Sequence, residues 1–209
     1  AKEVLRAGGD GFVHDIISEP VDDEFVGLMK RNRARYITTL GIYQAAADIP
    51  AWAGLARAFD QDHHIPAPVY EVGINPDTAA QWGKMFDNLA YLKARLPVMR
   101  ENSKKLFDAG VLVVTGSGTT TSGGPGTLLG LSGQMELMLL VEAGYSPAEV
   151  IRISTIDAAR FLGLDQDLGS IEAGKIADLV ILEADPLKDI RNVRSIHRIL
   201  KGGVVLSLI

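Results

Sequence analysis

The sequence predicts an α/β fold in which parallel β/α units come first and a small β appendage follows. Three observations carry this expectation. Short apolar runs alternate with segments of helical spacing up to Gly163. One of those runs, Val111 to Thr115, has the apolar character of a strand covered on both faces. After Gly163 the style changes to short strand-like segments joined by turns at Ala173-Gly174, Asp185-Pro186 and Gly202-Gly203.

Taken in order, Ala1 to Gly9 reads as the last turns of a helix stopped by Gly8 and Gly9. A chain opening inside a helix is expected to continue a longer one, with any targeting signal lying upstream. Gly11 to Ile17 carries Phe12, Val13, Ile16 and Ile17 and is the first strand candidate. Asp22 to Arg33 has helical spacing at Phe25, Val26, Leu28 and Met29, with Asp22 as cap and Asp23 and Glu24 at the positive end. Arg35 to Tyr43, rich in β-branched residues, is the next strand. Trp52 to Phe59 reads as a short helix, and Asp60 to Pro76 as a loop holding His63 and His64. Pro76 to Gly110 is one long helical region, broken or kinked near Pro97. Ser117 to Gly130 is a Gly/Thr/Ser loop and Leu131 to Ala143 a helix. Ser146-Pro147-Ala148-Glu149 has the form of a capping box with proline in the first turn, and it starts a helix ending near Gly163. Gly169 to Ile171, Ala177 to Leu182 and Ile196 to Leu206 are the strands of the appendage. Strand–helix alternation is the grammar of right-handed parallel units. Three such units make half of an eight-fold barrel or half of an open sheet. The expected division falls between residues 1–163 and 164–209.

Composition narrows the function classes. The chain has 209 residues, 47% hydrophobic and 6% aromatic, which suits an aliphatic α/β core. The net charge of −5 comes without the basic block that phosphate neutralisation requires, so nucleic acid is not an expected partner. There is no cysteine, which excludes disulfides and thiolate metal ligands and fits a reducing, cytoplasmic setting. No apolar run is long enough to span a bilayer.

Several segments match one family in order. Ala7 to Asp15 (AGGDGFVHD), Asp22 to Lys30, Tyr36 to Leu40 (YITTL) and Asp108 to Gly116 (DAGVLVVTG) do so, followed by Gln134 to Leu137, Val141 to Gly144 and Thr155 to Arg160. Leu168 to Leu182 (LGSIEAGKIADLVIL) is the most specific, and Lys201 to Val205 is the matching end. Together they resemble the amidohydrolase superfamily, in its imidazolonepropionase-like and prolidase-like group. The resemblance implies the C-terminal part of a (β/α)8 TIM-like barrel, namely strands six, seven and eight, plus strands of a small β-sandwich. It also implies hydrolysis of C–N bonds in a small amide, dipeptide or cyclic amide, with one or two divalent metal ions, zinc by preference. Such an ion lowers the pKa of a bound water and polarises the carbonyl. Most of its ligands would lie in the missing N-terminal half of the barrel. That half, or further copies of the chain in a homo-oligomer, would be the partner of this one.

Within this chain the resemblance assigns His14 to the strand-six metal ligand. Gly118 stands where the family has the strand-eight aspartate, which binds metal and shuttles the proton; no Asp or Glu occurs between Val111 and Leu131. Ser117, Thr119 and Thr120 can hold a water but cannot replace a carboxylate base. The expected reading is therefore a hydrolase part, inactive alone, with a non-catalytic barrel module as the alternative. Thr38 or Thr39 faces the pocket, since alternation allows only one inward, and Thr39, Ser117, Thr119 and His64 are candidate substrate contacts. Adjacent His63 and His64 point apart on an extended chain and are expected to be loop residues at the barrel mouth. His197 is expected to be structural or exposed, and Glu136, on an apolar helix, to pair with an arginine.

Overall fold

The structure is a computed structural model and describes residues 1–60, 65–73, 89–119 and 127–207. A short helix α1 (Lys2–Arg6) leads into three strands, β1 (Gly11–Val13), β2 (Arg35–Thr38) and β3 (Leu112–Thr115). They pair in parallel in the order β1-β2-β3. Parallel neighbours need long crossovers. The first is helix α2 (Asp23–Arg31). The second holds α3 (Leu40–Ala47), α4 (Ile49–Phe59), α5 (Ala67–Gly73) and α6 (Leu89–Asp108). Helices α7 (Leu131–Glu142), α8 (Pro147–Ser154) and α9 (Ile156–Leu162) follow β3. An antiparallel sheet of β4 (Leu179–Leu182), β5 (Ile196–Lys201) and β6 (Val204–Leu206) completes the chain, with a 3-10 turn at Ile190–Arg194.

Phe12, Tyr36 and Val113 share one register position across the three strands. They pack with Phe25, Met29 and Leu106 to close the outer side of the sheet. The next register position, Val13, Ile37 and Val114, faces the opposite side, where Val13 is exposed. A second apolar cluster joins Trp52 of α4, Met99 of α6, Met135 and Leu139 of α7, and Val150 and Ile153 of α8. Behind it, Asp60 at the end of α4 takes the Arg194 guanidinium at 2.7 Å, the Tyr70 hydroxyl at 3.0 Å and the Ile65 N–H at 3.0 Å. This half-buried pair ties the segment after Gly163 to the long crossover. Among the described residues no helix is long and apolar enough to cross a membrane.

Local signals hold where the sequence supplies both partners. Asp22 accepts the Phe25 N–H at 2.9 Å. Ser146 and Glu149 form the reciprocal capping box, with Pro147 in the first turn. Gly202 and Gly203 turn β5 into β6 with φ of 56° and 82°, the pair of positive angles that a tight hairpin turn demands.

Other expectations are corrected. The first strand ends at Val13 rather than Ile17, because His14 adopts φ 80° and breaks the extended run. The second ends at Thr38, and Leu40–Ala47 is a helix rather than more strand, since Glu136 captures its first N–H groups. The short helix starts at Ile49, where Asp48 accepts the Ala51 N–H at 3.1 Å. Part of the expected loop, Ala67–Gly73, is helical. Helix α6 runs through Pro97 unbroken. The helix expected from Ser146 to Gly163 is two, divided at Thr155 with φ −123° and ψ −92°. Gly169 to Ile171 is not a strand, because Lys175 gathers this loop with bonds of 2.6 Å to the Asp165 carbonyl and the Ser170 hydroxyl.

Removing the capping hydroxyl with Ser146→Ala is expected to lower the unfolding free energy by about 1 kcal/mol, as read by urea denaturation.

Candidate functional site

The C-terminal ends of β1, β2 and β3 form one rim, the end where parallel β/α barrels carry their chemistry. His14 is the first residue past β1, in a left-handed conformation that histidine tolerates better than most side chains. Its ring is exposed. Nδ1 lies 2.9 Å from the Thr39 hydroxyl, and the ring meets Tyr43 edge-on at 6.2 Å.

Next to it Asp15 is buried. One carboxylate oxygen accepts the Thr39 N–H at 2.7 Å and the other the Tyr36 hydroxyl at 3.2 Å. Burial pushes the Asp15 carboxyl up to about 7, and the bonds from Thr39 and Tyr36 oppose that rise. Glu136 reaches the same place from α7. It is fully buried and accepts the Leu40 N–H at 2.9 Å and the Gly41 N–H at 2.8 Å. Burial first, and the Asp15 charge second, raise Glu136 to about 8. Two carboxylates from distant parts of the chain thus hold three successive N–H groups at the start of α3. Thr39, the residue before that helix, makes no cap bond with its own side chain, which leaves its hydroxyl for His14.

On the loop after β3, the Ser117 hydroxyl accepts the Thr119 N–H at 3.2 Å. Among the described residues the Thr119 hydroxyl is buried without a hydrogen-bond partner, while the Thr38 side chain bears on Glu136 and opposes the rise of its pKa. Gly118 has φ 62°, and a Cβ there would stand 3.1 Å from both Cδ1 and Cγ2 of Ile42. An acid at 118 would need a left-handed backbone and a shift of Ile42 together.

The structure therefore brings His14 and Thr39 into contact and places Ser117, Gly118 and Thr119 on the neighbouring loop. His63, His64 and Thr120 lie outside the described residues. His197 sits on β5, exposed, 3.3 Å from Glu183. Glu136 does not pair with an arginine, as expected from sequence, but with backbone N–H groups. Asp15 was not singled out from sequence at all. The signals were there: a lone carboxylate on an apolar helix, and an acid directly after a strand-end histidine. Among the described residues no three His, Asp or Glu side chains converge as a metal centre. His14 offers one donor and Gly118 none, so these residues by themselves do not fit a divalent ion.

Residues 67–206 match the amidohydrolase family. An imidazolonepropionase of Shouchella clausii is 32% identical over 116 residues, 51% of this chain and 25% of that protein. A 5-methylthioadenosine/S-adenosylhomocysteine deaminase of Symbiobacterium thermophilum is 33% identical over 72 residues, 32% of this chain and 16% of that protein. The crystal structure of a Xaa-Pro dipeptidase with bound methionine superposes with a TM-score of 0.62 at 22% identity, over 99% of this chain and 42% of that one. The matches thus span a quarter or less of the curated relatives and under half of the solved chain. The structural likeness implies a TIM-barrel fold.

Glu136 ionises near 4.5 in an unfolded chain and at about 8 when folded. The folded state therefore holds the extra proton between those values, and stability falls as pH rises through that window. Urea unfolding is expected to show a smaller free energy at pH 8.5 than at pH 5, with the slope flattened in Glu136→Gln.

Proposed function

We propose, from the premise that this chain belongs to the amidohydrolase family, that it forms barrel strands six to eight of a hydrolase of C–N bonds in amides, dipeptides or cyclic amides. In this reading residues 1–163 are the C-terminal half of the barrel and residues 164–209 contribute strands to a small sandwich. The observation that carries it is His14, standing at the C-terminal end of β1 with Nδ1 engaged by Thr39. That is the position the family gives its strand-six ligand. The imidazolonepropionase and dipeptidase names among the similar proteins support C–N substrates.

The family is generally metal-dependent. Zinc is the ion we assign, resting mainly on residues outside this chain, because His14 and Gly118 alone do not hold one. Thr39, by orienting His14, and Ser117 and Thr119, on the loop beside it, are the groups we place against substrate. Acting alone, the chain is inactive in this reading, and the rest of the barrel or a further copy is its partner.

A second reading is favoured by one observation, the glycine at 118 with Ile42 packed where its side chain would start. It makes the barrel a binding or assembly module that has lost its chemistry.

Two experiments separate these. Zinc-loaded full-length protein is expected to hydrolyse members of a dipeptide and cyclic-amide panel, and His14→Ala to lower that rate by at least about a hundredfold. Absence of turnover across the panel would count against the enzyme reading. The double variant Gly118→Asp with Ile42→Val, assayed for zinc binding and hydrolysis, is expected to gain both in an impaired enzyme and neither in a binding module. Gly118→Asp alone is expected to cost about 1–3 kcal/mol of stability.

A further inference from the structure

Of the five tyrosines in the chain, three visibly spend their hydroxyl inside the protein. Tyr36 donates to Asp15 at 3.2 Å, Tyr70 to Asp60 at 3.0 Å and Tyr145 to Ser103 at 3.3 Å. Tyr43 differs. Its ring is half-buried and packed against the second apolar cluster. Its hydroxyl has no hydrogen-bond partner among the described residues, and it is not sealed from solvent. A phenol is a donor at neutral pH, and a tyrosine with a buried ring ordinarily finds an acceptor for it.

The unspent donor stands at the rim. Thr39 precedes α3 and Tyr43 lies four positions on, a spacing that places two residues on one helix face. Both meet His14. The Thr39 hydroxyl lies 2.9 Å from Nδ1, and the Tyr43 ring meets the imidazole edge-on with planes at 85°. Asp15 and Glu136 hold the N–H groups of Thr39, Leu40 and Gly41, so the turn that carries Tyr43 is anchored at its start. Apolar packing fixes the ring while the hydroxyl stays available beside the strand-end histidine.

We propose that Tyr43 is a substrate-binding residue of this site, its hydroxyl donating a hydrogen bond to an oxygen of an amide lying against His14. Amides, dipeptides and cyclic amides all bring that acceptor in a carbonyl oxygen. The choice of substrate rests on the proposed function; the donor and its place rest on the packing of Tyr43. Because the hydroxyl has no partner in the protein, Tyr43→Phe breaks no internal bond and keeps the ring against His14. A tyrosine that only filled space would therefore lose nothing by it. One that binds substrate loses a neutral hydrogen bond, which corresponds to about a tenfold change.

The first readout compares wild-type and Tyr43→Phe zinc-loaded full-length protein on the dipeptide and cyclic-amide panel, with thermal unfolding alongside. The variant is expected to lose about tenfold in kcat/KM with Tm unchanged. A folded variant within about threefold of wild type overturns the proposal and leaves the hydrolase reading standing. The second readout needs no turnover: NMR of the full-length protein labelled with 13C-tyrosine, with panel compounds added one at a time. The Tyr43 signal is identified by its loss in Tyr43→Phe or, should that variant not fold, by contact with the His14 ring protons. Its Cζ, the carbon bearing the hydroxyl, is expected to shift on binding while that of Tyr145 does not. A compound that binds and leaves Tyr43 unmoved overturns the proposal. A shift at Tyr43 without hydrolysis of any compound supports the contact and counts against the hydrolase reading. Neither binding nor turnover across the panel overturns both.

Discussion

Thr39, Leu40 and Gly41 leave β2 with three N–H groups facing a dry interior, where an unpaired donor costs on the order of 1–3 kcal/mol. Their own side chains cannot help, because Leu40 and Gly41 carry no acceptor and the Thr39 hydroxyl is turned to His14. Asp15 and Glu136 meet the need from opposite sides of the chain. This fixes where α7 sits against β2 and where the residues after β1 must turn. The rim of the sheet follows from it.

Burying these two carboxylates has a cost, visible in the upward shift of both, to which the Asp15 charge adds at Glu136. Natural proteins tolerate such a cost where the groups hold a functional geometry. Thr39, whose N–H is held by Asp15, also contacts His14 through its hydroxyl, so the start of α3 and the rim share a residue. Helix α3 thus touches both Glu136 of α7 at its first N–H groups and His14 through Tyr43.

Much of the architecture was legible because its signals are local. The capping box at Ser146 and Glu149, the Asp22 cap and the Gly202-Gly203 turn need only residues a few positions apart. The family resemblance was legible as ordered motifs and holds. What escaped the sequence depends on distant partners. Leu40–Ala47 follows a β-branched run, and its helical start is decided by Glu136, 95 positions beyond Gly41. The end of β1 is set by a single left-handed His14. The expectation that Glu136 would find an arginine failed because helix-start N–H groups are as good a partner for a buried carboxylate as a cation is.

Gly118 and Ile42 also set an order for any pair of substitutions at these positions. An acid arriving first at 118 meets a left-handed backbone and an aliphatic side chain 3.1 Å from its Cβ. A trimming of Ile42 arriving first costs about 1 kcal/mol and opens the position. A route that introduces an acid at 118 is therefore cheaper when residue 42 is trimmed first.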